Sequence, residues 1–348
     1  MTSHPGRPNR IWWFAFGYFA SYVPYTYLTK QVSDGLADHE PVAGASILPL
    51  ATFASVVGMF IFITVKGWWK YANHVQLGRV SLPMPRAVTF MSGISTAAIV
   101  TTTTLAYTFE GISIIFAMLL MRGGLLLLGP IVDRVTGRPF KSIPWYSWTG
   151  SGLALLALVI GFAEKGGSQL TLIAAIDIGL YLIAYFFRLR WMTKLAKKGS
   201  REDDIAFFVE EQMVATPLAL SVLAVIAAAL DNKFGAQLSY GFVGVWEDPM
   251  LVLLLLTIGI ASQGTGIFGA LILLEPQENA YTVPVNRASS VLAGLMSTLL
   301  LMIFQDADGP SSYELVGALV VVAAILVLAW PGIQRYRKRR AEQAAVRS

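Results

Sequence analysis

The sequence predicts an all-α fold, a polytopic transmembrane helical bundle of ten helices in two inverted five-helix repeats, and three observations predict it. Mean hydropathy is +0.60, with 55% hydrophobic and only 14% charged residues, whereas a soluble chain carries about 25% charged residues. Ten apolar runs each approach the roughly 20 residues that cross about 30 Å of hydrocarbon. The basic residues collect in alternate segments between those runs, as membrane topology requires.

The runs are 11–29, 43–65, 88–107, 111–131, 146–163, 170–190, 205–230, 250–274, 280–304 and 312–333. The first is too long and aromatic for a cleaved signal peptide, and no small-x-small site follows it. Only Thr108, Phe109 and Glu110 separate the third from the fourth. One helix from 88 to 131 would far exceed the bilayer, so a tight turn at Glu110-Gly111 is expected. Trp12, Trp13, Trp68, Trp69, Trp145, Trp148, Trp191 and Trp330 fall at run ends, where indole rings anchor among headgroups.

With the N-terminus inside, the inner segments hold 21 basic residues and the outer loops three, Lys30, Lys165 and Lys233. The bias predicts both termini in the cytoplasm, and a bacterial inner (plasma) membrane is the expected location. The formal charge of +5 is spread over these short clusters, so nucleic acid is not an expected partner; a lipid bilayer and a small-molecule solute are, and a homodimer is compatible. The tail at 335–340, RYRKRR, reads as a topology anchor.

The chain has no Cys, which excludes disulfides, thiol catalysis and cysteine-ligated metals. It contains no HExxH, GxSxG or GxGD, and no loop is long enough for a soluble catalytic domain, so an intramembrane enzyme is not expected. The run Asp34 to Glu40, DGLADHE, has metal-ligand letters but reads as a solvated loop. Neither a metal nor a cofactor is expected.

Splitting the chain at the outer segment Glu164 to Ser168 gives halves of five runs, 1–165 and 166–334, with a basic tail at 335–348. An odd number of spans inverts one half relative to the other, an architecture recurrent in transporters that bind near the midplane. An offset of 165 residues superposes the last two runs of each half. Glu110 then meets Glu275, Arg122 meets Arg287, Gly129 meets Gly294, Ser147 meets Ser312 and Gly152 meets Gly317. Arg122 and Arg287 are the two arginines deep within predicted spans. Each follows its Glu by twelve residues, about 18 Å along a helix and so near the bilayer centre.

The segments AYTFEGISIIFAMLLMRGGLLLLGPIVDRVTGRP (106–139), ENAYTVPVNRASSVLAGLMSTLLL and GPSSYELVGALVVVAAILVLAW resemble the fourth, ninth and tenth spans of the drug/metabolite transporter superfamily. The resemblance implies ten spans, inverted five-helix repeats, inner termini and solute transport. The chain departs from the common bacterial pattern, with Arg122-Gly123-Gly124 where that pattern has a mid-span Pro and Asp133-Arg134 where it has Gly-Glu. The departure fits an anionic or phosphorylated cargo, as in the nucleotide-sugar and sugar-phosphate branches. An exporter of amino acids or amines and a lipid-headgroup flippase are the alternatives.

Charged side chains in mid-membrane are costly and face a cavity or a partner. Arg122 and Arg287 keep their charge and have forks that match carboxylate or phosphate, so they read as cationic clamps, one per half. The structural alternative is an ion pair such as Arg122 with Asp177. Asp177 itself reads as a proton-coupling carboxylate, an amine ligand or an arginine counter-ion. Tyr18, Tyr22 and Tyr25 share one helix face, and Thr103 belongs to a run of four threonines, 101–104, of which two reach a cavity. Gln263 precedes the small residues Gly264, Gly266 and Gly269, and Asn286 adjoins Arg287. The expected solute site is therefore Arg122, Arg287, Asp177, Asn286, Tyr22, Tyr25, Thr103 and Gln263. Glu210 and Glu211 are expected at the membrane interface, Arg188 in the basic loop, and Lys30 snorkelling outward.

Overall fold

The computed structural model describes residues 10–36, 40–106, 145–164, 172–196, 200–275 and 279–345, with isolated positions between 120 and 135. The fourth predicted run, Arg122 included, lies outside the continuous described segments. The rest is almost entirely helical: α1 (Arg10–Asp34), α2 (Gly44–Val65), α3 (Ala87–Ala106), α4 (Trp145–Glu164), α5 (Leu172–Leu195), α6 (Arg201–Ala229), α7 (Lys233–Phe242), α8 (Pro249–Leu273), α9 (Asn279–Gln305) and α10 (Ser312–Ala345). Nine of these coincide with predicted runs to within a few residues, apart from longer ends on α1, α5, α6 and α10. α7 was not foreseen, nor was the hairpin of β1 (His74–Leu77) and β2 (Val80–Pro83), which pair antiparallel around Gly78 in the left-handed region.

Among the described residues six helices are long and apolar enough to cross a membrane: α2, α3, α5, α6, α8 and the Val285–Gln305 part of α9. The tyrosines and threonines of α1 dilute its hydropathy. The exterior of the bundle carries many large apolar side chains while polar ones are buried among its core, as α5 illustrates. Its outer face is Leu172, Ile173, Ile176, Leu180 and Ile183, and its buried face carries Asp177, Tyr181, Tyr185 and Arg188. Apolar side chains outward and polar ones inward suit a helix whose solvent is lipid.

Local sequence sets the helix boundaries. Asp248 caps α8 by accepting from the amides of Met250 (2.9 Å) and Leu251 (3.1 Å), with Pro249 in the first turn. Asn232 caps α7 through Gly235, and Ser200 caps α6, whose first turn holds Glu202, Asp203 and Asp204 against the helix dipole. Gly67, at φ 62°, ends α2 in a conformation that favours glycine.

Polar contacts at the two ends show that α1, α3, α6 and α9 run one way and α2, α5 and α8 the other. At one end Arg10 pairs with Glu275 at 2.6 Å, joining the start of α1 to the end of α8. There too Asn279 donates to Thr193 and joins the start of α9 to the end of α5. Glu210 lies buried at the same end. It accepts from the amides of Asn73 and Arg86, from Arg86 Nε (2.9 Å) and from Thr89 (2.7 Å), tying the hairpin and the start of α3 to α6. At the other end Ser46 donates to the Gln237 carbonyl, and Gln305 to Tyr27. The first end carries Lys66, Lys70, Arg79 and Lys194. The second carries Asp34, Glu40, Asp231, Glu247, Asp306 and Asp308, with Lys30 paired to Asp34 at 2.9 Å. Against these stand Glu202, Asp203, Asp204, Glu210 and Glu275 at the first end and Lys233 at the second, so that among the described residues the first end is the more basic and the second the more acidic.

Glu210 thus anchors the hairpin from a buried position. Glu210→Ala should remove about 2 kcal/mol of local stability from residues 73–89. Tryptic cleavage after Arg79 in detergent should then accelerate about tenfold or more; an unchanged rate would show that the hairpin is held by other contacts.

Candidate functional site

A cavity of about 70 Å³ opens at the centre of the described bundle. Six helices surround it: α1 packs on α8, α3 on α5, α3 on α6, α2 on α8 and α2 on α6. Close approach is possible because small residues stand at the crossings. A Cβ on Gly259 of α8 would run into the Ala51 carbonyl and come within 2.6 Å of Ala54 Cβ on α2. A Cβ on Gly93 of α3 would lie 2.5 Å from Val214 Cβ and 3.0 Å from the Glu211 carbonyl on α6. Ser55 strengthens the first crossing by donating to the Gly259 carbonyl at 2.7 Å.

α1 supplies one wall. Tyr18, Tyr22 and Tyr25 recur at helical spacing and face inward as a stack of edge-to-face rings, with centroids 5.1 and 5.5 Å apart. The Tyr25 hydroxyl shares a 2.8 Å hydrogen bond with Thr104. α3 contributes Thr96 and Thr103. The Thr103 hydroxyl returns a 2.6 Å bond to the Ile99 carbonyl, leaving its methyl and lone pairs to the cavity. α6 and α8 complete the wall with Gln212, Thr216, Gln263 and Thr265. Gln263 makes a long 3.5 Å contact to Met59 Sδ. Thr216 Oγ1, though buried, meets no hydrogen-bond partner among the described residues. The lining is amphipathic: aromatic faces with hydroxyl and amide groups between them.

One guanidinium belongs to this wall, that of Arg188 on α5. The residue is 5% exposed and forms a two-pronged pair with Glu211 of α6, which is 0% exposed. Arg188 Nε donates to Oε1 at 3.0 Å and Nη2 to Oε2 at 2.7 Å. Ser92 of α3 donates to the same carboxylate at 2.5 Å. Burial on this scale is tolerated because both charges are paired and hydrogen-bonded.

Arg287 of α9 lies behind the wall. It is fully buried, and donates to the Tyr181 hydroxyl (2.9 Å) and the Tyr185 hydroxyl (3.2 Å). The Tyr185 ring has the Arg287 guanidinium 5.0 Å and the Arg188 guanidinium 6.0 Å from its centroid. Tyr185 therefore joins the two cations. Asn286, also buried, donates to the carbonyl of Gly269, a cavity-lining residue, at 3.2 Å. Asp177 is buried two turns before Arg287's partner Tyr185, and its Oδ2 has no hydrogen-bond partner among the described residues.

Of the residues expected at a site, Tyr22, Tyr25, Thr103 and Gln263 come together on the cavity wall, and Arg287 and Asn286 back it. Asp177 lies further along α5, and Arg122 lies outside the described residues. One expectation is corrected. Arg188 is a buried cavity residue and not a member of the basic loop, because α5 continues to Leu195. Glu211 is buried beneath it. The signal for Arg188 was its spacing from Tyr181 and Tyr185, which puts all three on one helix face. Among the described residues no cluster of three or more His, Asp or Glu can hold a metal.

No protein-family model and no curated protein matches the chain. Solved structures match it in fold. One of them, described only as the crystal structure of a protein, superposes with a TM-score of 0.53 at 12% identity. The match covers 91% of this chain and 98% of that one, so the shared architecture extends over nearly the whole length of both.

Proposed function

We propose that this chain is a secondary transporter that carries a small anionic solute by alternating access, with ten spans folded as inverted halves 1–165 and 166–334. The observation that carries the reading is the central cavity, to which each half contributes three helices and whose wall presents the buried guanidinium of Arg188. Arginine is the side chain best matched to carboxylate or phosphate, and one buried within a helix at a cavity wall suits a solute path.

Inverted halves are supported by packing that is preserved when the halves are exchanged. The contact of α1 with α8 has its counterpart in α5 with α3, and α2 with α8 in α6 with α3. α2 with α6 and α4 with α10 exchange into themselves. Gly259 seats on Ala51 and Ala54, and Gly93 on Glu211 and Val214, the same three-residue spacing in each case. The first helix of each half carries a tyrosine pair four residues apart, Tyr18 with Tyr22 and Tyr181 with Tyr185, whose centroids lie 5.1 and 4.8 Å apart. An architecture of two exchangeable halves around a central cavity suits rocking of one half against the other. The basic end of the bundle is read as cytoplasmic.

The absence of Cys makes the test direct. Single cysteines at Thr103 and at Gln263 should react with membrane-impermeant thiol reagents from both sides of an oriented vesicle, and anionic solute should shift the balance between sides. Cysteines at Arg79 and Asp308 should report opposite faces. Labelling of the cavity from one side under every condition would overturn alternating access.

A further inference from the structure

We infer that the Arg188–Glu211 pair is a joint site for a solute oxyanion and a proton, so that each anion carried brings one proton with it. The inference rests on the transport reading above and adds the coupling ion to it.

The geometry places the two charges unequally. Arg188 lines the cavity, while Glu211 has no exposed surface and reaches the cavity only through Arg188. An oxyanion entering the cavity meets a guanidinium whose Nε and Nη2 donors are both held by Glu211. A carboxylate or phosphate presents the same two-oxygen edge and competes for the same fork. If the anion takes the fork, Glu211 is left buried, charged and deprived of its cation.

Other surrounding groups do not compensate. α2, α3 and α8, which pack around this point, contain no ionisable side chain. Tyr18 of α1 and Tyr185 of α5 stand beside Arg188 and offer no cation; Arg287 of α9, across the Tyr185 ring, is turned to the Tyr181 and Tyr185 hydroxyls, and Arg190 stacks on Trp191. On α6 itself the neighbours are acidic. Glu210 is committed to Arg86, Thr89 and the Asn73 amide, and Asp204 is buried two turns earlier. Arg86 is engaged by Glu210. Lys70, in the turn packed on α6, stacks on Tyr71, and Lys233 of α7 stands at the opposite end of the helix. Uptake of a proton by Glu211 is therefore what restores neutrality. The exchange balances: one anion arrives at Arg188, one proton is bound by a Glu211 oxygen, and the net charge of the pair with its contents remains zero. Ser92 suits both states, because a hydroxyl that donates to a carboxylate can turn and accept from a carboxylic acid. Anion and proton then raise each other's affinity by the same factor, as linkage demands.

The test uses the whole chain in proteoliposomes with the membrane potential clamped to zero and three labelled probes: inorganic phosphate, glycerol 3-phosphate and the zwitterion alanine. For a carried anion, one proton should enter per probe charge neutralised at the pair, and a one-unit pH gradient, acid outside, should drive about tenfold accumulation. In Glu211→Gln that accumulation should fall to about onefold, whatever uptake remains. The proton count on wild-type protein decides the matter even if the variant does not fold. Anion uptake with no accompanying proton overturns the inference and leaves the transport reading standing. Carriage of alanine alone, without a proton, also overturns it, since a zwitterion satisfies Arg188 and Glu211 together. Uptake of none of the three overturns both.

Discussion

Arg188→Ala should destabilise the protein by about 3–5 kcal/mol and abolish transport, because it leaves the fully buried Glu211 carboxylate with Ser92 alone. The informative comparison is the double substitution Arg188→Met with Glu211→Leu. Removing both charges together eliminates the stranded carboxylate, so most of the lost stability should return, while transport of an anion stays absent for want of a cation on the cavity wall. The measurement is a denaturant or thermal titration of the purified protein in one detergent, paired with uptake in liposomes. If the single and double variants are equally unstable, the pair matters for packing more than for charge. If the double variant still carries anions, Arg188 is not their ligand, and Arg287 behind Tyr185 becomes the cation to examine.

Gly259→Val is the second large effect. Its Cβ has no room between the Ala51 carbonyl and Ala54 Cβ, and these are backbone and short-stem atoms that cannot swing aside. α8 and α2 would have to move apart, breaking the 2.7 Å bond from Ser55 to the Gly259 carbonyl and widening the cavity on that side. A loss of about 3 kcal/mol or more is expected, at the upper end of overpacking costs. Gly93→Val should behave alike at the α3–α6 crossing. Gly179→Ala is the control: among the described residues nothing lies within 4 Å of its Cβ, so it should be neutral or gain up to about 1 kcal/mol from helix propensity. Yields of folded protein after solubilisation, with unfolding midpoints for those that fold, separate the cases. A Gly259 variant as stable as the Gly179 one would show that the crossing is looser than the structure has it.

The helices were legible in the sequence for a simple reason. A lipid-exposed segment has to satisfy its backbone internally and present apolar side chains over about 20 residues, a constraint that leaves a mark in every run. α2, α3 and α8 matched their runs within a residue at each end. α5 outran its run by the turn from Trp191 to Leu195, and Arg188, counted with the basic loop because of its charge, lies inside the helix. The hairpin at 74–83 and α7 were hidden for the opposite reason: both are short, and their stability comes from contacts with α6 and α2 instead of from their own composition.

Within the cavity the same division applies. Tyr18, Tyr22 and Tyr25 were readable as a common face because 3.6-residue periodicity is a property of one helix. The partnership of Arg188 with Glu211, 23 residues away on the next helix, was not readable, because which faces of α5 and α6 meet depends on how Gly93 lets α3 wedge against α6. By itself the sequence determined that the chain is helical, that its apolar runs suit lipid, and that its basic residues gather in alternate segments, since burial in hydrocarbon and loop charge are local requirements. Only the tertiary structure decided which polar residues share a cavity, and that a buried ion pair forms part of its wall, because helix packing sets distances between residues that no periodicity relates.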